Sequence, residues 1–393
     1  MFFVHDRGRM LSVYISGQQL GAILGLITGG KIADTVGWRW GEYIVAIIGA
    51  VVLLLFIFSF EETLFPRFLF SSEVPVIIGR TSQDSDESTR ELHNGKTAKG
   101  GDIASTAPLG NENDSSNAPQ AQPDSYWTSS DKFPKRSYAE LLKLWTYYPQ
   151  NRTTFWQYFR RPFLLATFPN IIIAGFIFAF GSTAGIVSFN TISEILTAPP
   201  YNWSTTKTGL SFLAAVIGNI IGWALGALSD HLVIHIARRN GGVKEPEMRL
   251  YVLSISVILV PLGYLLYGFG AQSHLPWPTI TLGILCMTAH QVLACTVATA
   301  YAMECFPGVS ASLVTLLAIY SSVINFGVSY SVQPIIEGVG YGWTFFIFGI
   351  LVLGAMGAAG WAVVRGKEWR RRCAGRYYGI LGEVGDGEGG GVR

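Results

Sequence analysis

Eight runs of about twenty apolar residues, at 11–30, 42–60, 163–187, 208–228, 250–270, 278–302, 311–333 and 342–364, constrain this chain more than any other feature. As a helix, a run of that length crosses the roughly 30 Å hydrocarbon core of a bilayer. Lipid offers no water to satisfy backbone groups, so each segment must close its own hydrogen bonds, and a helix does that. Half of the 393 residues are hydrophobic and only 14% are charged. Soluble domains carry about 25% charged residues, so the composition excludes the soluble globular class. The expected fold is all-α: a polytopic membrane bundle of eight transmembrane helices.

Between residues 66 and 161 the chain changes character and becomes rich in Ser, Asn, Gly, Pro and acids. Such a stretch buries too little apolar surface to offset ordering. Its last part, from about Tyr126, mixes aromatic and basic residues in a pattern suited to a helix lying on a membrane surface. Four segments follow: 1–65, a two-helix unit; 66–161, a largely disordered loop; 162–366, a six-helix bundle; and 367–393, a tail. With eight crossings both termini share a side. Placing them in the cytoplasm puts 25 of the 28 Lys and Arg residues inside and leaves only Lys31, Arg39 and Lys207 outside. The bias of basic residues toward the inside therefore predicts cytoplasmic termini.

Chemistry-bearing motifs are sparse. Cys286, Cys295, Cys305 and Cys373 show no metal-ligand spacing. No HExxH, GxSxG or P-loop pattern occurs, so the sequence reads as a non-enzyme with no cofactor, no metal and no nucleic-acid partner. What remains is polar residues inside apolar helices, which are costly toward lipid and mark a cavity or an interhelical contact.

The stretch "GQQLGAILGLITGG" sets Gly17, Gly21, Gly25 and Gly29 on one helical face. In water those glycines would weaken a helix by up to about 1 kcal/mol each. In lipid they open a face to close approach by a neighbouring backbone.

The order of motifs resembles the major facilitator superfamily, in particular fungal drug/proton antiporters and polyamine-type permeases. "GAILGLITGG" is similar to a fifth-helix motif of antiporters, matched by Gly21, Gly25, Gly29 and Gly30, with Leu26 where that motif carries proline. "HDRGR" resembles the preceding cytoplasmic loop, and "GWRW" with "EETLFPR" the loop and end of the sixth helix. "GALSDHLVIHIARRNGG" resembles the loop between helices eight and nine, and "AYAMECFP" the end of the tenth helix. The eight runs then correspond to helices five to twelve of a major facilitator-type bundle, with the first four lacking.

The resemblance implies transport of a small-molecule substrate by alternating access between two bundles, coupled to protons, in the plasma membrane. The competing expectation is a truncated, transport-inactive product or a regulatory membrane subunit. It also implies a gate of Asp230, Arg238, Arg239 and Glu304 at one membrane face, and a seal formed by the glycine motif at 21, 25, 29 and 30. For the substrate the embedded polar residues His290, Gln291, Tyr320, Asn325, Asn219 and Asn190 are the candidates. His290 is the only histidine inside a span, and an imidazole titrates near neutral pH, which suits proton coupling. No Asp, Glu, Lys or Arg is expected in the middle of any span.

Overall fold

A computed structural model describes residues 7–59 and 155–388. Of the loop expected over 66–161, residues 66–154 lie outside the described residues, as do the side chains of Asp6 and Arg7, and 155–161 are helical. The described part is helical throughout: α1 (Arg7–Thr35), α2 (Trp38–Ser59), α3 (Phe155–Leu165), α4 (Pro169–Thr197), α5 (Thr205–Ser211), α6 (Leu213–Arg239), a 3₁₀ helix η1 (Pro246–Ile255), α7 (Ser256–Gln272), α8 (Trp277–Cys305) and α9 (Ser310–Glu388).

Among the described residues seven helical segments are long and apolar enough to cross a membrane. One of these, α9, runs for 79 residues but is broken at Gly340, whose φ of 82° and ψ of 171° no helix contains. Glycine adopts that conformation without penalty, so the chain turns there and continues as a second helical stretch. The described residues thus contain seven to eight apolar helices of spanning length.

Two compact units divide the chain, 1–51 with 151–393, and 52–150. Of the second, the described residues are 52–59, the end of α2. In the first, α8 is the central post and packs against α4, α6 and α7. Its composition explains that position. Glycines of the neighbours form notches into which α8 sinks: a Cβ at Gly181 of α4 would lie 2.8 Å from Ala294 Cβ, and one at Gly222 of α6 would lie 2.6 Å from the Ala289 carbonyl. Small residues permit the backbone approach that holds helices together where lipid gives no hydrophobic drive.

Helix α1 belongs to the same unit and packs on α5, α6 and α8. Ile15 meets Val292 and Cys295, and Ile23 enters the core shared by α4, α7 and α8. At its far end Asp34 accepts two bonds of 2.5 Å from the backbone N–H and hydroxyl of Thr206, in the first turn of α5. A carboxylate is favoured there by the unsatisfied N–H groups of a helix start.

Candidate functional site

The ends of α6 and α8 carry Asp230 and Glu304, and η1 threads between them. Arg249 of η1 is fully buried. Its Nη2 donates to Glu304 Oε1 at 2.7 Å and its Nε to Glu304 Oε2 at 3.3 Å, a two-pronged contact that fits the planar guanidinium. Asp230 Oδ1 lies 2.8 Å from Nη1 as an ion pair without hydrogen-bond alignment, and Ser229 Oγ accepts from the same nitrogen at 3.3 Å. Lys244 Nζ adds a bond of 2.9 Å to Glu304. Two cations thereby face two carboxylates, the condition under which buried charges are tolerable.

The fourth element is α1. The backbone N–H of Arg9, in its first turns, donates to Asp230 Oδ2 at 2.7 Å. That bond satisfies the Asp230 oxygen that Arg249 leaves free. Four elements, α1, α6, η1 and α8, are joined through one arginine and two carboxylates.

Asp230 and Glu304 are therefore brought together through Arg249. Arg238 and Arg239 are not part of the cluster: they lie exposed in the last turn of α6. Eight residues of helix separate Arg238 from Asp230, about 12 Å along the axis, too far for a direct pair. The partner expected of Arg238 and Arg239 is supplied by Arg249. The apolar segment that begins at Pro246 also carries Glu247, 4% exposed, so two charged residues lie buried at the start of a span. Glu247 accepts from Arg370 Nε at 3.0 Å and Nη2 at 2.7 Å.

The six polar candidates occupy several helix contacts. Asn325 of α9 is saturated: it donates to Ser182 and Ser321 at 2.8 Å each and accepts from Thr183 at 3.2 Å. Tyr320 donates to the Ala166 carbonyl at 3.2 Å. Asn190 is exposed and reaches Ser329 at 3.4 Å. Asn219 ties α6 to α1 through Ser16, at 3.0 Å to the hydroxyl and 3.2 Å to the carbonyl. Asn325, Asn190 and Asn219 make interhelical bonds, and Tyr320 ties α9 to the turn between α3 and α4.

His290 and Gln291 differ. His290 has no exposed surface, and neither ring nitrogen has a partner among the described residues; Gln291 Oε1 is likewise unpartnered. Buried polar atoms are ordinarily bonded, so a pair of them in the central helix calls for an explanation. Neither a groove of about 400 Å³, lined by Trp203, Lys207 and Trp277, nor one of about 260 Å³ at Gly25, Gly29 and Phe212 reaches either residue.

The glycine motif is used at one position. A Cβ at Gly30 would fall 2.9 Å from the Thr205 carbonyl, whereas Gly17, Gly21, Gly25 and Gly29 have nothing within 4 Å among the described residues. Helix α1 meets its neighbours through Ser12, Ile15, Ile23 and Gly30, a different face from that of the stripe.

Residues 1–331 match the family model described as Major Facilitator Superfamily. The chain belongs to the major facilitator superfamily. Several of its curated relatives are fungal. An uncharacterised MFS-type transporter of Schizosaccharomyces pombe is 26% identical over 97% of this chain and 66% of its own length. Protein HOL1 of Saccharomyces cerevisiae is 27% identical over 83% of the chain and 59% of its own length. The MFS transporter cpaT of Aspergillus oryzae is 26% identical over 91% and 61% respectively. The chain spans about six-tenths of the length of these curated relatives. No solved structure matches it. Family membership and the apolar helices together make the facilitator a multi-pass integral membrane protein.

Proposed function

We propose that this facilitator moves small organic solutes across a membrane by alternating access, with Asp230, Arg249 and Glu304 as a gate at its cytoplasmic face. The observation that carries the reading is the buried Arg249, which holds Asp230 of α6 and Glu304 of α8 to η1 while Asp230 also accepts from the backbone of α1. A contact of that kind has two stable arrangements, paired and separated, which is what a rocking bundle requires. Superfamily membership and the transporter names of its relatives support the transport step.

The finer assignments rest on residues. Arg238, Arg239, Lys244 and the basic stretch 370–372 lie on the segments assigned to the cytoplasm, in keeping with inward bias of positive charge and cytoplasmic termini. His290, buried without a partner, is the group we assign to substrate or proton binding when the pathway opens. The likeness to fungal drug and polyamine permeases favours organic cations as cargo, protons as coupling ion and the plasma membrane as location. The eight runs would then be helices five to twelve of a twelve-helix assembly.

The test is uptake of spermidine and of ethidium into proteoliposomes under an imposed pH gradient. Asp230→Asn should cut the initial rate at least about tenfold while the inserted protein stays constant, the loss expected when one partner of a buried pair is removed. An unchanged rate would sink the gate. A second reading, a chain inactive in transport by itself, is supported by its partial span of the relatives. It requires that neither probe moves until a further polypeptide is added.

A further inference from the structure

Beyond Val364 the helix α9 does not leave the bundle. Gly366, Cys373, Tyr377 and Ile380 are buried and Arg370 is half-buried, a 4-3-4-3 spacing that keeps one seam of a straight helix against a neighbour. The seam docks on the start of α4 and the turn after α8. Tyr377 donates to the Pro307 carbonyl, its ring lies 5.3 Å from that of Phe306, and Arg376 sits 5.7 Å over the Phe168 ring.

The same tail grips η1. Arg370 holds Glu247 with two bonds, and Lys367 pairs with Glu245 at 2.5 Å. A Cβ at Gly366 would lie 2.7 Å from Glu247 Oε1 and 3.2 Å from the Tyr301 hydroxyl, so the glycine is the seat on which Glu247 rests. Asn170 at the start of α4 donates to that hydroxyl at 2.8 Å and to the Gly366 carbonyl at 3.2 Å.

Glu247 and Arg249 are two residues apart on a 3₁₀ helix of three residues per turn, so they project about 120° apart. One therefore faces the tail while the other faces Asp230 and Glu304. A 3₁₀ ladder has poorer hydrogen bonds than an α-helix and holds its own orientation weakly. Its rotation is set by what grips it on each side.

We infer that Glu247 and Arg370 are positioning residues for Arg249: the tail clamps η1 in the rotation that presents Arg249 to Asp230 and Glu304. The inference rests on the gate reading above. Releasing the clamp frees η1 and loosens the whole charged end without touching a gate residue.

Cys305 reports on this end, since it is buried in the same core as Cys373 and Tyr377. The experiment uses the full chain in vesicles with Cys286, Cys295 and Cys373 replaced by Ala. The rate of Cys305 alkylation by a polyethylene-glycol maleimide is the measurement. Arg370→Gln should raise that rate about tenfold, as should Asp230→Asn. The double variant should exceed the faster single by no more than about twofold, because both release one element. The swap Glu247→Arg with Arg370→Glu should restore a rate within about twofold of the parent. Gly366→Ala, which keeps every charge, should raise it about threefold and carries the test if Arg370→Gln does not insert.

An unchanged rate in both Arg370→Gln and Gly366→Ala, with Asp230→Asn raised, overturns the clamp alone. So does a double variant whose increase is the product of the singles. An unchanged rate in Asp230→Asn overturns the gate, and the clamp with it.

Discussion

Helices α2 and α8 are both apolar enough to cross a membrane, yet among the described residues the first is exposed and the second is enclosed. Of the most apolar window in α2 nothing is buried, whereas 83% of that in α8 is. The run "AVVLLLFIF" of α2 consists of large aliphatic and aromatic side chains, while α8 reads "CMTAHQVLACTVATAYA", small and polar by turns. Lipid tails are as apolar as leucine, so large apolar residues gain nothing by leaving lipid for protein. Small residues gain close backbone contact, and polar ones gain partners. In this bundle hydrophobicity explains entry into the membrane, and smallness with polarity explains packing.

The largest effect that would break this contrast is overpacking at the α6–α8 contact. In Gly222→Leu the new side chain would start 2.6 Å from the Ala289 carbonyl and 2.8 Å from Val292 Cβ. We expect about 3 kcal/mol of lost stability, at the upper end for overfilled cores because the obstacle is backbone. The same change at Gly49 in α2, with nothing within 4 Å among the described residues, should cost under about 0.5 kcal/mol. Thermal unfolding of both variants in one detergent decides it. Equal losses would mean that α2 is as tightly packed as α8.

Next in size is Asn325, which links α4 to α9 through two hydrogen bonds, to Ser182 and from Thr183, and makes a third to Ser321 within α9. Asn325→Val should cost about 1 to 2 kcal/mol, since an interhelical bond in a membrane protein averages about 0.6 kcal/mol. His290→Leu makes the opposite case. Its ring nitrogens have no partners among the described residues, and an unsatisfied buried polar group costs about 1 to 3 kcal/mol. The variant should be as stable as the parent or more so, while losing transport if the imidazole serves substrate or proton. A destabilised His290→Leu would show that the ring is interhelical glue after all.

The apolar segments were legible in sequence because each is a local property of about twenty consecutive residues. The charge cluster around Arg249 was legible only in part. Asp230 and Glu304 stand out in the sequence, but Arg249 counts there only as one of the basic residues on the cytoplasmic side, because its partners lie 20 positions away at Ser229 and 55 away at Glu304. No local pattern carries that information. The signal available was narrower: an acid and a base two residues apart, Glu247 and Arg249, directly abutting an apolar run. Arg238 and Arg239 follow Asp230 closely in sequence, yet helix rise carries them out of reach. The scatter of Asn190, Asn219, Tyr320 and Asn325 has the same origin, since composition shows that a residue is polar and tertiary contact decides whether it is already satisfied.

The smallest expected effect lies in the glycine stripe. Glycine weakens a helix in water by up to about 1 kcal/mol relative to alanine, a penalty that persists here only if the position is useful. Gly25 faces open space among the described residues, and the side chain of Leu26 beside it is exposed. On this geometry Gly25→Ala should change stability by less than about 0.5 kcal/mol, and in the stabilising direction. Gly25→Leu should be tolerated equally, because nothing within 4 Å would be displaced. The pair of variants separates two kinds of surface. If both are neutral in detergent unfolding, the face meets lipid and resembles α2. If alanine is neutral but leucine costs about 2 kcal/mol or more, a backbone lies against the stripe and the face belongs with the notches around α8, where a methyl group is the limit.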